Sequence, residues 1–451
     1  MSSKSFQNAS KLNGIVSVLQ FGAVGDGVTN DTAAIQAALD SSACVRIPAG
    51  TYKISGTLTV SKNGATIIGD SFELSVITST STTAPMISIN GGLNGVNIQG
   101  IKLTRSVTAS SGADGIKCNT VTIGQSYIGN VLVEKQSVGI HLGPTDYSLL
   151  ENAISQKNQG QGVRIASSST DGAVQWSING LLCQMNGAQG ILVQSVSGTA
   201  QMTLGTYRNV NTFANTGAGI AFAGLSGCPI QGVRISGAFV GEDANSEIYL
   251  DTYGGQHQIS NVFSELAGRR TTGPSLSTAA SNIGSGFEVT GNNADVLFTG
   301  CHTNGNSFDG FYLAGSECVI SACRATNNGI SNISGRKNGI NVAAGFAVLV
   351  NSTRSGNTGA GASQDYGVFA ADGNNVSITS CDLRSNTTAI VGATANSNFF
   401  TLFGNLPNTI NTIIPAGAVL VGGSASGGAS IPGGINVAGG LAKNNVAYTN
   451  P

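Results

Sequence analysis

The stretch that decides the fold runs Gly286-Phe287-Glu288-Val289, then Phe298-Thr299-Gly300-Cys301, then Gly310-Phe311-Tyr312-Leu313, then Ile320-Ser321-Ala322-Cys323. Two markers alternate in it. One is a small residue followed by an apolar–x–apolar triplet. The other is an apolar anchor, two small or polar residues, and a further inward position. Period-2 alternation over so few residues makes short strands. Outward from this stretch the triplet recurs at Gly139-Ile140-His141-Leu142, Gly162-Val163-Arg164-Ile165, Gly190-Ile191-Leu192-Val193, Gly219-Ile220-Ala221-Phe222, Gly345-Phe346-Ala347-Val348 and Gly367-Val368-Phe369. At Glu247-Ile248-Tyr249-Leu250 a glutamate takes the glycine's place. The anchor recurs at Ile98, Ile123, Ile178, Ile235, Ile259 and Ile378, and an asparagine closes many copies, as at Asn158, Asn186, Asn306, Asn328 and Asn386.

Copies lie roughly 22 to 29 residues apart, the period of a solenoid. A coil of that length holds three short strands joined by bends and cannot bury its apolar face alone, so coils must stack. The expected fold is all-β: a single-stranded right-handed parallel β-helix of about ten or eleven coils, roughly 50 Å long at about 4.8 Å per coil. Asparagines at the bends are expected to tolerate left-handed backbone and to form ladders. Cys301, Cys323 and Cys381 fall in one column and read as small core residues. None of the eight cysteines forms a C-x-x-C pair, so neither zinc nor a disulfide framework is indicated.

Composition agrees. The 451 residues include 64 glycines, only 10% are charged, and 40% are apolar, which is too many for disorder. A net charge of −1 without a basic run argues against nucleic acid as a partner. No apolar run is long enough to span a membrane. The first residues, Met1 to Gln7, are polar and lack a secretory signal pattern.

Residues 18–70 carry a second pattern: Val18-Leu19-Gln20-Phe21-Gly22-Ala23-Val24-Gly25-Asp26-Gly27-Val28-Thr29-Asn30-Asp31, a short amphipathic helix from Thr32 to Leu39, and then Val45-Arg46-Ile47-Pro48-Ala49-Gly50-Thr51-Tyr52. Ile35, Ala38 and Leu39 share one face of that helix. Gly25-x-Gly27 is no dinucleotide fingerprint, because Asn30 holds the third glycine position. Asp26 and Asp31 are no EF-hand, because Ala37 stands where the bidentate glutamate belongs. The bland reading is a turn and a helix cap. The whole segment resembles the opening of the pectate-lyase-like β-helix superfamily, most closely the members found in bacteriophage tailspikes and prophage tail proteins. In that superfamily the helix closes the open end of the rod, where a bare first coil would template aggregation. The ending, Leu441 to Pro451, is similar to the last residues of some phage tail-fibre proteins. The resemblance implies a homotrimer acting in the virion tail, a bacterial surface polysaccharide as partner, contacts with other tail proteins, and no cofactor or metal. The domain plan is a 1–17 extension, an 18–70 cap with first strands, a 71–395 β-helix, and a 396–451 Gly-rich segment that joins the three chains.

Glycoside hydrolysis needs two carboxylates across the scissile bond, about 5–5.5 Å apart for retention and about 6.5–9.5 Å for inversion. Eight of the 22 acids fall in residues 242–309: Glu242, Asp243, Glu247, Asp251, Glu265, Glu288, Asp295 and Asp309. The marker spacing also lengthens there, through an insertion at 267–285 of the kind that walls a groove. Aligned coils give outward columns of Tyr249, Glu288, Tyr312 and of Phe239, Phe263, His302, Arg324, with Gly241, Glu265, Asn304, Thr326 beside the latter. The expected catalytic pair is Glu265 with Glu242 or Asp243, and the second choice is Glu288 with Asp251. Tyr249, His302, Tyr312, Arg324 and Arg269 are expected to bind substrate. β-Elimination on a uronic-acid polymer is the rival chemistry, with His302, Arg324, Arg269 and Tyr312 as candidate groups. A glycan-binding tail protein without catalysis is the other alternative, and a cellular polysaccharide enzyme the third. The motifs of plant-type polygalacturonases are missing, and Asp114-Gly115-Ile116-Lys117 echoes them only superficially. Trp176, the single tryptophan, reads equally as strand anchor or sugar platform.

Overall fold

A computed structural model describes residues 14–403 and 419–420, apart from 119–122, 169–170, 197–200, 269–283, 292–294, 316, 331–335, 345–346, 359–363, 372–373 and 393–398. The chain is a right-handed parallel β-helix with three long sheets of 16, 13 and 13 strands. The first sheet runs from Ile15–Ser17 to Val419–Leu420, and the second from Asp26–Asn30 to Arg354–Ser355. The third runs from Leu58–Val60 to Thr388–Gly392. Every strand of the three pairs in parallel with the equivalent strand one coil on, so the register of one coil fixes the next. A short fourth sheet of five strands, Ile123–Gly124 to Ile230–Gln231, fills the corner between third and first. The strands stack to about 12 turns, and the glycine triplet begins one level before Gly139, at Gly115-Ile116-Lys117-Cys118. The first sheet also continues through Phe399–Phe403 and Val419–Leu420, inside the segment assigned to the C-terminus.

The two markers have separate structural causes. The anchors Ile98, Ile178, Ile235, Ile259, Phe298 and Ile320 are fully buried on the inner face of the first sheet. Two residues after each anchor comes the corner into the second sheet. Gly100, Asn130, Asn152, Gly180, Asn209, Gly237, Asn261, Gly300 and Ala322 stand there with φ between 47° and 70°. That left-handed region is open to glycine and tolerated by asparagine, which is why these two types recur.

The triplet glycine answers to sterics rather than to φ. A Cβ on Gly162 would lie 2.7 Å from Asn186 Nδ2 and from Gly190 O, and one on Gly310 would lie 2.6 Å from Gly339 O. The crowding atoms belong to a ladder of buried side chains. Asn158 Nδ2 donates to Asn186 Oδ1, Asn186 to Asn215, and Asn215 to Asp243, each at 2.8–2.9 Å. Above a break the ladder resumes as Asn306, Asn328, Gln364 and Asn386. The ladder asparagines are therefore not the left-handed residues. The residue before each takes that conformation, as Lys157, Met185, Ala214, Glu242 and Asn327 do.

At the N-terminal end, α1 (Thr32–Ser41) buries Ile35, Ala38 and Leu39 on the first coils, as its pattern predicts. Asp31 does not cap it through its side chain. Its carboxylate accepts the Val24 and Gly25 amides at 2.7 and 3.1 Å, and Asn30 Oδ1 accepts the Thr32 amide. Asp26 likewise folds its own turn, accepting from Val28 and Thr29. None of the eight cysteines forms a disulfide among the described residues. Cys301, Cys323 and Cys381 stand in one buried column, with Thr353 between the last two, and the Cys301 amide donates to Cys323 Sγ.

Candidate functional site on the second and third sheets

Both outward columns form. On the third sheet Tyr249 pairs with Glu288, and Glu288 with Tyr312. Asp251 lies two residues after Tyr249 on the same strand and face, one level below Glu288. With strands about 4.8 Å apart and two residues spanning about 6.6 Å, the diagonal between them is roughly 8 Å at the backbone. Glu288 accepts a short hydrogen bond from Ser246 Oγ. Burial raises the Asp251 carboxyl above its ordinary range. The Tyr249 hydroxyl accepts from Thr290 Oγ1 at 3.1 Å.

Arg336 closes one side of this column. Its guanidinium lies 4.2 Å from the Tyr312 ring centre and 4.6 Å from that of Phe308, and it pairs with Asp309 at 2.7 Å. Asp309 is fully buried and also accepts from Asn338 and Asn341. The arginine is thus held by charge on one side and by ring faces on the others. Further down the same face, Leu192, Ala218 and Ala221 form a small apolar cluster against which Tyr249 packs.

On the second sheet Phe239, Phe263, His302 and Arg324 occupy successive levels, beside Gly241, Glu265, Asn304 and Thr326. Phe239 and Phe263 are stacked at 5.6 Å, and His302 meets Phe263 edge-on at 4.7 Å. His302 Nε2 lies 3.3 Å from Thr326 Oγ1. Burial lowers the His302 imidazole, with Arg324 adding to the effect. Glu265 is raised, first by burial and then by the charge of Glu242 nearby. Glu242 itself occupies a left-handed corner with φ of 57°.

Asp243 corrects an expectation. As a catalytic partner of Glu265 it would have to reach substrate, but its side chain points inward and is 0% exposed. It terminates the asparagine ladder, accepting from the Asn215 amide and Nδ2 and from Thr212 Oγ1. The reason lies one coil on. There Ala267 takes the ladder position, its amide bonding Asn306 as a ladder asparagine's would. The space vacated is filled by Glu247, whose Oε1 accepts the Asp243 amide. Glu247 can replace the triplet glycine only because Ala267 is small. Glu247 is buried too, and burial beside Asp243 raises both carboxyls, Glu247 by far the more. Both are interior groups, out of a substrate's reach.

The second-sheet and third-sheet groups do not share one face. The corner between them is where the insertion leaves and returns: the Gly268 amide bonds Asp243 O, and Gly284 O accepts from Phe308. Arg269 and most of the 267–285 insertion lie outside the described residues. Trp176 is an anchor and no sugar platform. It is 1% exposed, and its Nε1 donates to Tyr207 at 2.8 Å. Arg336 and Ser246 were missed from the sequence. Arg336 sits in a long connection without either marker, and Ser246 is an ordinary turn serine until the Glu288 level is stacked beside it.

The comparisons with known proteins bear on the fold. Over 86% of its length the chain superposes on 98% of the mannuronan C-5 epimerase AlgE6 A-module of Azotobacter vinelandii, at 16% identity and a TM-score of 0.60. Over 92% it superposes on 82% of the N-terminal fragment of bacteriophage phi29 gene product 12, also at 16% identity, with a TM-score of 0.59. At these identities the likeness is one of fold alone. No curated protein sequence matches the chain. One family model does, described as rhamnogalacturonase A/epimerase, pectate lyase-like, over residues 15–243. That span takes in the cap and the lower coils and stops short of Glu265 and Glu288. It is more than half of the chain, which therefore belongs to the rhamnogalacturonase A/epimerase, pectate lyase-like family of β-helix proteins.

Proposed function

We propose that this protein is a bacteriophage tailspike that binds and depolymerises a bacterial surface polysaccharide, capsule or O-antigen, by carboxylate-assisted hydrolysis on its third sheet. The observation that carries the reading is the Tyr249–Glu288–Tyr312 column with Asp251 diagonal to Glu288. One carboxyl is raised by burial and suits a proton donor, while the other accepts a hydrogen bond from Ser246 and suits a base. A backbone diagonal of roughly 8 Å leaves space between the two side chains for the water that inverting hydrolysis uses. Two tyrosines and the Arg336 guanidinium supply faces and donors for sugar rings. The phage neighbour supports a virion setting, and the epimerase neighbour supports a fold used on polysaccharides.

A second reading places the chemistry on the second sheet, with Glu265 as acid and Glu242 as its partner. It is favoured by the rise that Glu242 imposes on Glu265 and by the Phe239–Phe263 stack beside them. His302 and Arg324 would then contact the sugar. The protein is expected to act as a homotrimer in the virion tail, attached to other tail proteins.

The test is digestion of capsules and lipopolysaccharides from a host panel, following product mass, reducing ends and absorbance near 235 nm. New reducing ends without absorbance support hydrolysis. New absorbance moves the assignment to β-elimination, with His302, Arg324 and Tyr312 as the groups to substitute. Binding without cleavage across the panel leaves a glycan-binding tail protein.

A further inference from the structure

We infer that Lys117, His141 and Arg164 form a separate subsite for an anionic stretch of glycan, one whose sugars carry carboxylate or phosphate groups. The three side chains occupy consecutive levels of one outward column on the third sheet. Lys117 and Arg164 therefore stand about 10 Å apart with His141 between them. The same column continues through Leu192, Ala221 and Tyr249 to Glu288, four levels or about 19 Å above Arg164. The subsite thus lies on the face that holds Glu288, and the inference rests on the polysaccharide reading of that face.

Three observations point to an anion. First, Lys117 and Arg164 carry like charge two levels apart on one face, and the carboxylate nearest to them, that of Asp114, is already bound to His141. Among the described residues no carboxylate lies within ion-pair distance of Lys117 or Arg164. Second, Arg164 Nε is buried and lacks an acceptor among the described residues, while its Nη2 donates to the neutral amide of Gln194 at 3.2 Å. The side chain as a whole is only half-buried and donates to no carboxylate among the described residues, so the accessible edge of its guanidinium is open to a ligand's acidic oxygens. Third, His141 is deliberately aimed. Its Nδ1 lies 2.9 Å from the carboxylate of Asp114, whose side chain is only 4% exposed. Asp114 is pinned in turn by the buried Arg105, which donates to its carbonyl oxygen. This leaves Nε2 to accept from a sugar hydroxyl, between two cations that hold the charged substituents.

The experiment is affinity electrophoresis of the full chain in gels containing alginate, phosphorylated dextran or plain dextran. Retardation by an acidic polymer and not by plain dextran is expected, and the acidic polymer that works distinguishes carboxylate from phosphate. The double variant K117Q/R164Q should lose about tenfold or more in affinity. The double variant R208Q/R234Q removes the same charge from the exposed face of the first sheet and should bind as wild type. Added salt should weaken the wild-type interaction and leave K117Q/R164Q less affected. Absence of retardation by both acidic polymers overturns the subsite, as does undiminished binding by K117Q/R164Q or an equal loss in R208Q/R234Q. A protein that cleaves a neutral surface glycan yet ignores both acidic polymers keeps its proposed function and loses this subsite.

Discussion

At the scale of single residues, the interior acids and the surface acids separate. Burial, and then the charge of Asp243, raises the folded pKa of Glu247 well above the ordinary 4.5. The folded state then binds more protons than the unfolded one above pH 4.5, and stability falls as pH rises from there through the folded value. Glu247→Gln keeps the shape, leaves an amide to donate to Asp243, and cannot ionise. We expect E247Q to be more stable than wild type at neutral pH and to match it below about pH 4.5. Urea unfolding at several pH values checks this, and a variant with an undiminished pH slope refutes it. Among the surface acids, E288Q and D251N should each lower cleavage about 100-fold or more with little change in stability. E265Q should retain most activity, and the reverse pattern would move the reaction to the second sheet. Because the Asp251 carboxyl is raised and must be protonated to act, cleavage should fall as pH climbs through its pKa. The pH profile of kcat/KM reads this directly.

At the scale of the coil, the glycine and the asparagine of each repeat are one device. Gly310→Ala puts a Cβ 2.6 Å from Gly339 O and 2.8 Å from Asn328 Nδ2, neither of which can retreat inside a stacked coil. We expect a loss of about 2 kcal/mol by denaturant unfolding. Asn186→Ala, which removes the buried acceptor of the Asn158 amide and one of the two acceptors of Asn158 Nδ2, should cost about as much. This device is what made the fold readable. Periodic glycines, anchors and asparagines report directly on a stacked interior, and the columns Tyr249–Glu288–Tyr312 and Phe263–His302–Arg324 follow once coils are aligned. The direction of Asp243 was not readable, since a bend residue's side chain can point either way. Only the alanine at 267, one coil on, explains why it turns inward with Glu247. Arg336 and the Asp114–His141 pair were hidden for a different reason. Each joins residues 27 apart in the chain, and no local pattern marks such a contact.

At the scale of the whole molecule, the question is whether one chain is a complete catalytic unit. A trimer of rods creates grooves between subunits, and an acid from one chain could meet an acid from its neighbour there. The third-sheet site argues for the simpler arrangement. Asp251, Glu288, Tyr249, Tyr312 and Arg336 come from adjacent levels of a single rod, and stacking alone brings them together. Light scattering should give three times the 45.3 kDa chain mass. Oligomers co-refolded from equal amounts of D251N and E288Q chains should then stay inactive, because every chain carries one broken acid of its own pair. Co-refolding wild type with E288Q serves as the control for assembly and should yield activity in proportion to the wild-type chains present. Recovery of activity in the D251N and E288Q mixture would mean that the two carboxyls act across a subunit boundary. The groove that matters would then lie between rods rather than along one.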